Sequence, residues 1–176
     1  MTVTRQAQEL LNAVMDKSLE MGHSGGNAMK AAIEAFLAES RLALVGASRR
    51  EKKFGNYVLA ALMRKGYQVI LVNPHADSID GERCYPSLNS LPMEVGGVIL
   101  VVPPGQTEKL VREVAAVGIR RVWMQQGAES DDAIRFCETN GISVIHGECI
   151  LMFARPVDSF HRLHRWICGV FGRMPK

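Results

Sequence analysis

The sequence predicts an α/β fold, an open, mostly parallel sheet of about five strands with helices on both faces. Three observations carry that expectation. From Arg41 onward, short β-branched runs alternate with helical stretches in the order β-α-β-β-α-β-α-β. The connections between them are short, as when consecutive elements pack side by side. The run Val98–Val102 is unbroken in apolar residues, the texture of a parallel strand covered on both faces.

The elements follow in order. Residues 1–40 read as a helical extension without recognisable chemistry. Ala7, Leu10, Leu11, Val14 and Ser18 recur at helical spacing, and so do Met29, Ala32, Ile33, Phe36 and Leu37. Between them His23-Ser24-Gly25-Gly26-Asn27 is a break, with Asn27 as the cap of the second helix. The main domain, 41–150, opens with a strand at Leu42–Val45. A basic turn leads into a helix over Phe54–Lys65, with Val58, Leu59, Leu62 and Met63 on one face and Gly66 closing it. Tyr67–Val72 is a strand, stopped by Asn73-Pro74. A loop containing Asp80-Gly81 and a short strand around Cys84 come next. Pro103-Pro104-Gly105 ends the strand at Val98–Val102, and Thr107–Val117 is the following helix. Arg121–Gln125 is a strand, Asp131–Asn140 a helix closed by Gly141, and Ser143–His146 the last strand. Such an arrangement is Rossmann-like and doubly wound.

Residues 151–176 form a third region. Pro156 introduces a basic amphipathic helix over Asp158–Gly172, whose stripe is Phe160, Leu163, Trp166, Ile167, Val170 and Phe171. Docking on the domain or across a homodimer is one reading of that stripe, and a membrane surface is another. His161, His164 and Cys168 share a helical face, but no fourth metal ligand accompanies them.

Composition bounds the function. The chain has 176 residues, 47% hydrophobic and 22% charged, which is an ordinary globular balance. Its net charge is +3, and the segment from Arg155 onward carries +4, which leaves the rest at −1. Basicity is thus a property of the tail and does not call for nucleic acid. The cysteines at 84, 137, 149 and 168 form no CxxC pair and no disulfide framework. The first residues are polar, with no apolar signal core, so a reducing cytoplasm is the expected compartment.

In a doubly wound sheet, ligands sit beyond the carboxyl ends of the strands at the switch point. That rule selects Gly46–Gly55, Asn73–Asp77, Val102–Gln106 and Gln125–Ser130. The first segment has the outline of a phosphate site. Gly46 permits a tight turn and Ser48 brings a hydroxyl. The helix from Phe54 aims its N–H groups into the same space, and Arg49, Arg50, Lys52 and Lys53 add positive charge. A dinucleotide fingerprint needs G-x-G-x-x-G and an acid about 20 residues on. Here the turn has one glycine, and the second strand ends in Asn73-Pro74-His75 with no carboxylate before Asp77. Four cations suit a ligand with an additional phosphate monoester. Coenzyme A and NADP both carry one, and charge does not separate them.

The series VGAS-x4-K-x4-V, GYQVILVNP, IDGERCYPSL, VVPP and WMQQGAES resembles the small bacterial CoA-binding proteins, themselves similar to the CoA-binding domain of the succinyl-CoA synthetase α subunit. The resemblance runs from Arg41 to Cys149. It implies that the loop Gly46, Ala47, Ser48, Arg49, Arg50, Lys53, Phe54 and Gly55 holds the phosphates of CoA or acyl-CoA. It also implies that Asn73, Pro74 and His75 flank the adenosine end, and that Val102, Pro103, Pro104, Gln125, Gln126 and Gly127 line the rest of the groove. Gly46, Ser48 and Lys53 fall on the family's glycine, hydroxyl and basic positions. Phe54-Gly55 stands where a proline and a serine are common, and His75 is the one basic residue near the 3′-phosphate.

The resemblance covers only the binding domain of the synthetase, so the expectation is a CoA-binding protein without catalytic machinery. Cys149 is the one nucleophile near the ligand edge, with His146 as a candidate base, and both also suit plain packing at a strand end. Two other readings remain open: an NADP-dependent oxidoreductase-like domain, and a regulatory interaction protein with a vestigial nucleotide site.

Overall fold

The computed structural model describes residues 26–50 and 53–154. The helices expected over 7–18 and 158–172, Lys52, and the His161, His164 and Cys168 group lie outside the described residues. Helix α1 covers 26–37. It is followed by β1 (Arg41–Val45), α2 (Phe54–Arg64), β2 (Gln68–Val72), β3 (Ser78–Ile79), β4 (Glu82–Tyr85), β5 (Gly97–Leu100), α3 (Pro104–Ala116), β6 (Arg121–Gln125), α4 (Asp131–Thr139) and β7 (Ser143–Glu148). A short 3₁₀ turn, Ile150–Met152, closes the described chain.

The sheet order is β3-β4-β2-β1-β5-β6-β7, and every pairing is parallel except β3 with β4. The chain leaves β1 toward β2 on one side and returns to β5 on the other, which puts the switch point at the carboxyl ends of β1 and β5.

Alternate residues of the strands enter two separate cores. Leu42, Leu44, Ile99 and Trp123 face α1, α2 and the 150–152 turn. Ala43, Val45, Val98, Leu100, Val122 and Met124 face α3 and α4. This period-two division of uniformly apolar strands is what burial on both faces requires.

Three expectations are corrected. The sheet has seven strands rather than about five, because Asp80-Gly81 forms a hairpin turn between β3 and β4. Asp80 (φ 51°) and Gly81 (φ 85°) both take positive φ, the requirement of a type I′ turn and the reason Asp-Gly favours it. Helix α3 begins at Pro104, three residues before the expected start, since proline at the first helical position gives up only an N–H that has no helical partner. Asn27, expected as a cap, already lies inside α1.

Helix α1 is packed into the domain. Phe36 is fully buried and meets Trp123 edge-on, with ring centroids 5.5 Å apart. Its ring lies over Gly97, where an added Cβ would come within 2.6 Å. Tyr67 donates its hydroxyl to the Leu37 carbonyl at 3.1 Å and ties the end of α1 to the start of β2.

Candidate functional site

The loop from β1 to α2 is built on two close backbone approaches. Gly46 sits at φ +112°, and a Cβ there would lie 2.0 Å from the Val101 carbonyl oxygen. Only glycine satisfies both the dihedral and the gap. A Cβ on Gly55 would lie 2.4 Å from the Gly46 carbonyl oxygen, so the first turn of α2 rests directly on the loop. The position that lacks a side-chain donor relative to the family therefore brings the helix end closer to the loop.

Two asparagines hold the loop in shape. Asn56 accepts from the Ser48 N–H at 2.9 Å and donates to the Ser48 carbonyl at 2.7 Å. Asn73 donates to the Ala47 carbonyl at 2.8 Å and accepts from the His75 N–H at 2.8 Å. The Ser48 hydroxyl accepts from the Arg50 N–H at 3.2 Å, which leaves its own proton to donate. Asn56 escaped sequence reasoning. Its position three residues into a helix reads as solvent-facing, and only the fold over Gly55 turns it toward Ser48.

Beyond this loop, a cleft of ≈ 340 Å³ is lined by Gly46, Lys53, Phe54, Gly55, Val101, Val102, Pro103 and residues 125–128. Nine of the residues named from sequence thus come together: Gly46, Lys53, Phe54, Gly55, Val102, Pro103, Gln125, Gln126 and Gly127. Ala47, Ser48, Arg49, Arg50, Asn73, Pro74, His75 and Pro104 lie outside that lining. Ala47 is buried, whereas Arg49, Arg50, Pro74 and His75 are exposed. His146 and Cys149 do not line the cleft either, and Cys149 precedes the 150–152 turn.

Two helix N-termini converge here. Helix α2 has Lys53 as its N-cap residue, with no side-chain cap and no acid in its first turn. Helix α3, with Pro103 as its N-cap residue, is in the same condition. Their partial positive charge adds to that of Lys53, with no carboxylate in either first turn to offset it. The third side of the cleft is already satisfied. The Gly127 N–H donates to the Glu129 carboxylate at 2.7 Å, and the buried Gln125 carboxamide oxygen accepts from the Ile150 N–H at 3.1 Å. Thr107, also buried, donates to the Ala128 carbonyl at 2.5 Å and ties this segment to α3. An anion entering the cleft therefore finds its donors on the α2 side.

A larger hollow of ≈ 630 Å³ lies at the opposite edge of the sheet, between residues 88–96 and 117–121. It receives the C-terminal end of α3, whose carbonyls repel anions. The hollow has Arg120 and Arg121 in its lining, whereas the switch-point cleft has Lys53 at the start of α2. Among the described residues no group of three His, Cys, Asp or Glu side chains is placed to hold a metal, and no helix is long and apolar enough to cross a membrane.

Strand order, switch point and two-faced core define a Rossmann-like α/β domain. The chain belongs to the CoA-binding domain family, whose model matches residues 40–155. It is 32% identical over 133 residues to the uncharacterized protein YneT of Bacillus subtilis, covering 70% of this chain and 93% of that one. It is 28% identical over 121 residues to the ADP-forming acetate–CoA ligase I of Archaeoglobus fulgidus, covering 63% of this chain but only 18% of the ligase. Among solved structures, a conserved hypothetical protein from Pyrococcus furiosus superposes with a TM-score of 0.60 at 41% identity, covering 62% of this chain and 95% of that chain.

Proposed function

We propose that the chain binds coenzyme A or an acyl-CoA at the carboxyl edge of its sheet and acts as a binding module. The observation that carries this reading is the meeting of two uncapped, acid-free helix N-termini with Lys53 over one cleft. Preformed N–H donors and a cation suit a pyrophosphate, and the flanking Arg49 and Arg50 suit a further phosphate monoester. Asn73 supports CoA over a dinucleotide. It occupies the end of β2, where a dinucleotide site keeps a carboxylate for the ribose, and its amide is committed to Ala47.

Binding without chemistry fits the lining. Lys53 is the one ionisable side chain among the described lining residues, and a binding role needs no acid–base pair there. The acetate–CoA ligase relative is more than five times longer than the matched segment, which leaves room for its chemistry elsewhere. The free Cys84, Cys137 and Cys149 fit the reducing cytoplasm in which we place the protein.

Calorimetry with CoA, dephospho-CoA and NADP tests the reading. CoA should bind best, and dephospho-CoA should lose about tenfold or more, the worth of one charge-assisted contact. Binding of NADP with no binding of CoA would overturn it.

A further inference from the structure

The outer face of α2 carries an exposure that the fold does not explain. Four large hydrophobic side chains are exposed among the described residues, and three of them belong to this helix: Phe54 (45%), Tyr57 (60%) and Met63 (40%). With Ala60, also exposed, they stand three residues apart, so the four form one ridge along the helix. The core uses the other side, through Gly55, Val58, Leu59, Ala61 and Leu62. An apolar ridge on a helix that already has a full buried face marks an interaction surface.

The charges beside the ridge say what kind of surface covers it. Lys53 precedes the helix and Arg64 lies in its last turn, both exposed, and Arg49 and Arg50 are exposed in the loop before it. No acid occurs from Lys52 to Ala76. Among the described residues Asp80 is the carboxylate that meets the helix, through Asn56 at 3.4 Å. A second copy of the chain, packed α2 on α2, would set these cations against themselves across a two-fold axis. The face is also small. A helix of 11 residues is about 16 Å long and about 10 Å wide, well short of the about 800 Å² that one partner gives to a stable protein interface. A lipid surface has neither limit. It takes up side chains singly, its anionic headgroups answer Lys and Arg, and its interfacial layer accepts tyrosine with its apolar neighbours. Outside the described residues, the sequence from Arg155 onward has the same make-up, +4 with Phe160, Trp166 and Phe171.

We propose that α2 docks on an anionic lipid surface. Tyr57, Ala60 and Met63 enter the boundary between headgroups and acyl chains, and the cations at the two ends of the helix face the headgroup phosphates. The ridge begins at Phe54, which is also a wall of the switch-point cleft, so docking brings the cleft within about one helical turn of the lipid. The surface stands apart from the cleft's ligand and does not depend on which one the cleft holds.

Cosedimentation of the full-length protein with phosphatidylcholine vesicles, with and without phosphatidylglycerol, tests the proposal. The protein should pellet with phosphatidylglycerol vesicles at low salt, pellet less as salt rises, and stay in solution with phosphatidylcholine alone. Tyr57→Ser combined with Met63→Ser should lower the partition coefficient about tenfold or more, and Arg64→Gln alone about fivefold. Both variants should keep the parent's melting temperature and CoA affinity, since these side chains are exposed and none lines the cleft. Undiminished pelleting of the Tyr57 and Met63 variant would move the lipid contact to the basic segment from Arg155 and overturn the proposal. So would a parent protein that stays in solution with phosphatidylglycerol vesicles. A dimer in sedimentation velocity that the same substitutions split, with pelleting unchanged, would assign the face to a second copy instead.

Discussion

Helices α2 and α4 both follow a strand of the parallel sheet and start at its carboxyl edge, yet their first turns are equipped in opposite ways. Helix α4 is closed by its own sequence. Ser130 accepts from the Ala133 N–H at 3.2 Å, and Asp131 and Asp132 fill the first turn. Helix α2, with Lys53 as its N-cap residue, has neither side-chain cap nor first-turn acid. Every helix start presents N–H groups without helical partners, and the chain gives α4 a side-chain cap and two acids but gives α2 neither. The contrast separates a helix end closed by its own side chains from one whose first turn carries no side-chain cap and no acid. Helix α3, begun by Pro103-Pro104, also lacks a side-chain cap and a first-turn acid, but its first two residues have no N–H to offer.

The most drastic way to break the contrast is to close the gap under α2. Gly46→Ala puts a methyl group 2.0 Å from the Val101 carbonyl oxygen at φ +112°. It should cost about 3 kcal/mol or more, read as a lowered urea midpoint, and abolish CoA binding with it. A more instructive change copies α4 onto α2. Lys53→Asp supplies the missing cap, so thermal stability should hold or rise by about 0.5–1 kcal/mol while CoA affinity falls at least about tenfold. Ser130→Ala is the reciprocal change. It should cost about 1 kcal/mol and leave CoA affinity alone. If Lys53→Asp binds CoA as before, α2 is not an anion site.

The smallest effect concerns a carboxylate of the same edge that neither helix uses. Burial raises the Glu148 carboxyl above the usual carboxylate range. The folded form then holds its proton more tightly than the unfolded chain does. Stability is lost as pH climbs from the ordinary carboxylate value through the raised one. Glu148→Gln should remove that slope, melting higher than the parent at about pH 7 and level with it at about pH 4. An unchanged difference across that range would show that Glu148 titrates normally.

Period and punctuation are legible in the amino-acid sequence itself. Uninterrupted apolar runs mark strands covered on both faces, and Gly66 and Gly141, at φ +88° and +65°, stand at the helix ends that their residue type predicts. The four loops of the carboxyl edge follow from alternation alone, because a parallel crossover leaves its strand-to-helix turns on one edge. The β3–β4 hairpin is legible too, as Asp-Gly, but two short strands beside a long loop give no period to read.

The tertiary structure decided which of the loop residues line the cleft and which hold the loop. From sequence Ser48 reads as a hydroxyl for a phosphate, and Asn73 as the residue that stops β2 and, by resemblance, flanks the adenosine end. In the fold Asn73 is spent on the Ala47 carbonyl, and the Ser48 main chain is clasped by Asn56, a residue that no local pattern singles out. Residue type and spacing settle which hydrogen bonds a segment is able to make, since these depend on the chain's own chemistry. Which of them it makes depends on what the approach of Gly46 to Val101 and of Gly55 to Gly46 brings within 3 Å, and those contacts join elements far apart in sequence.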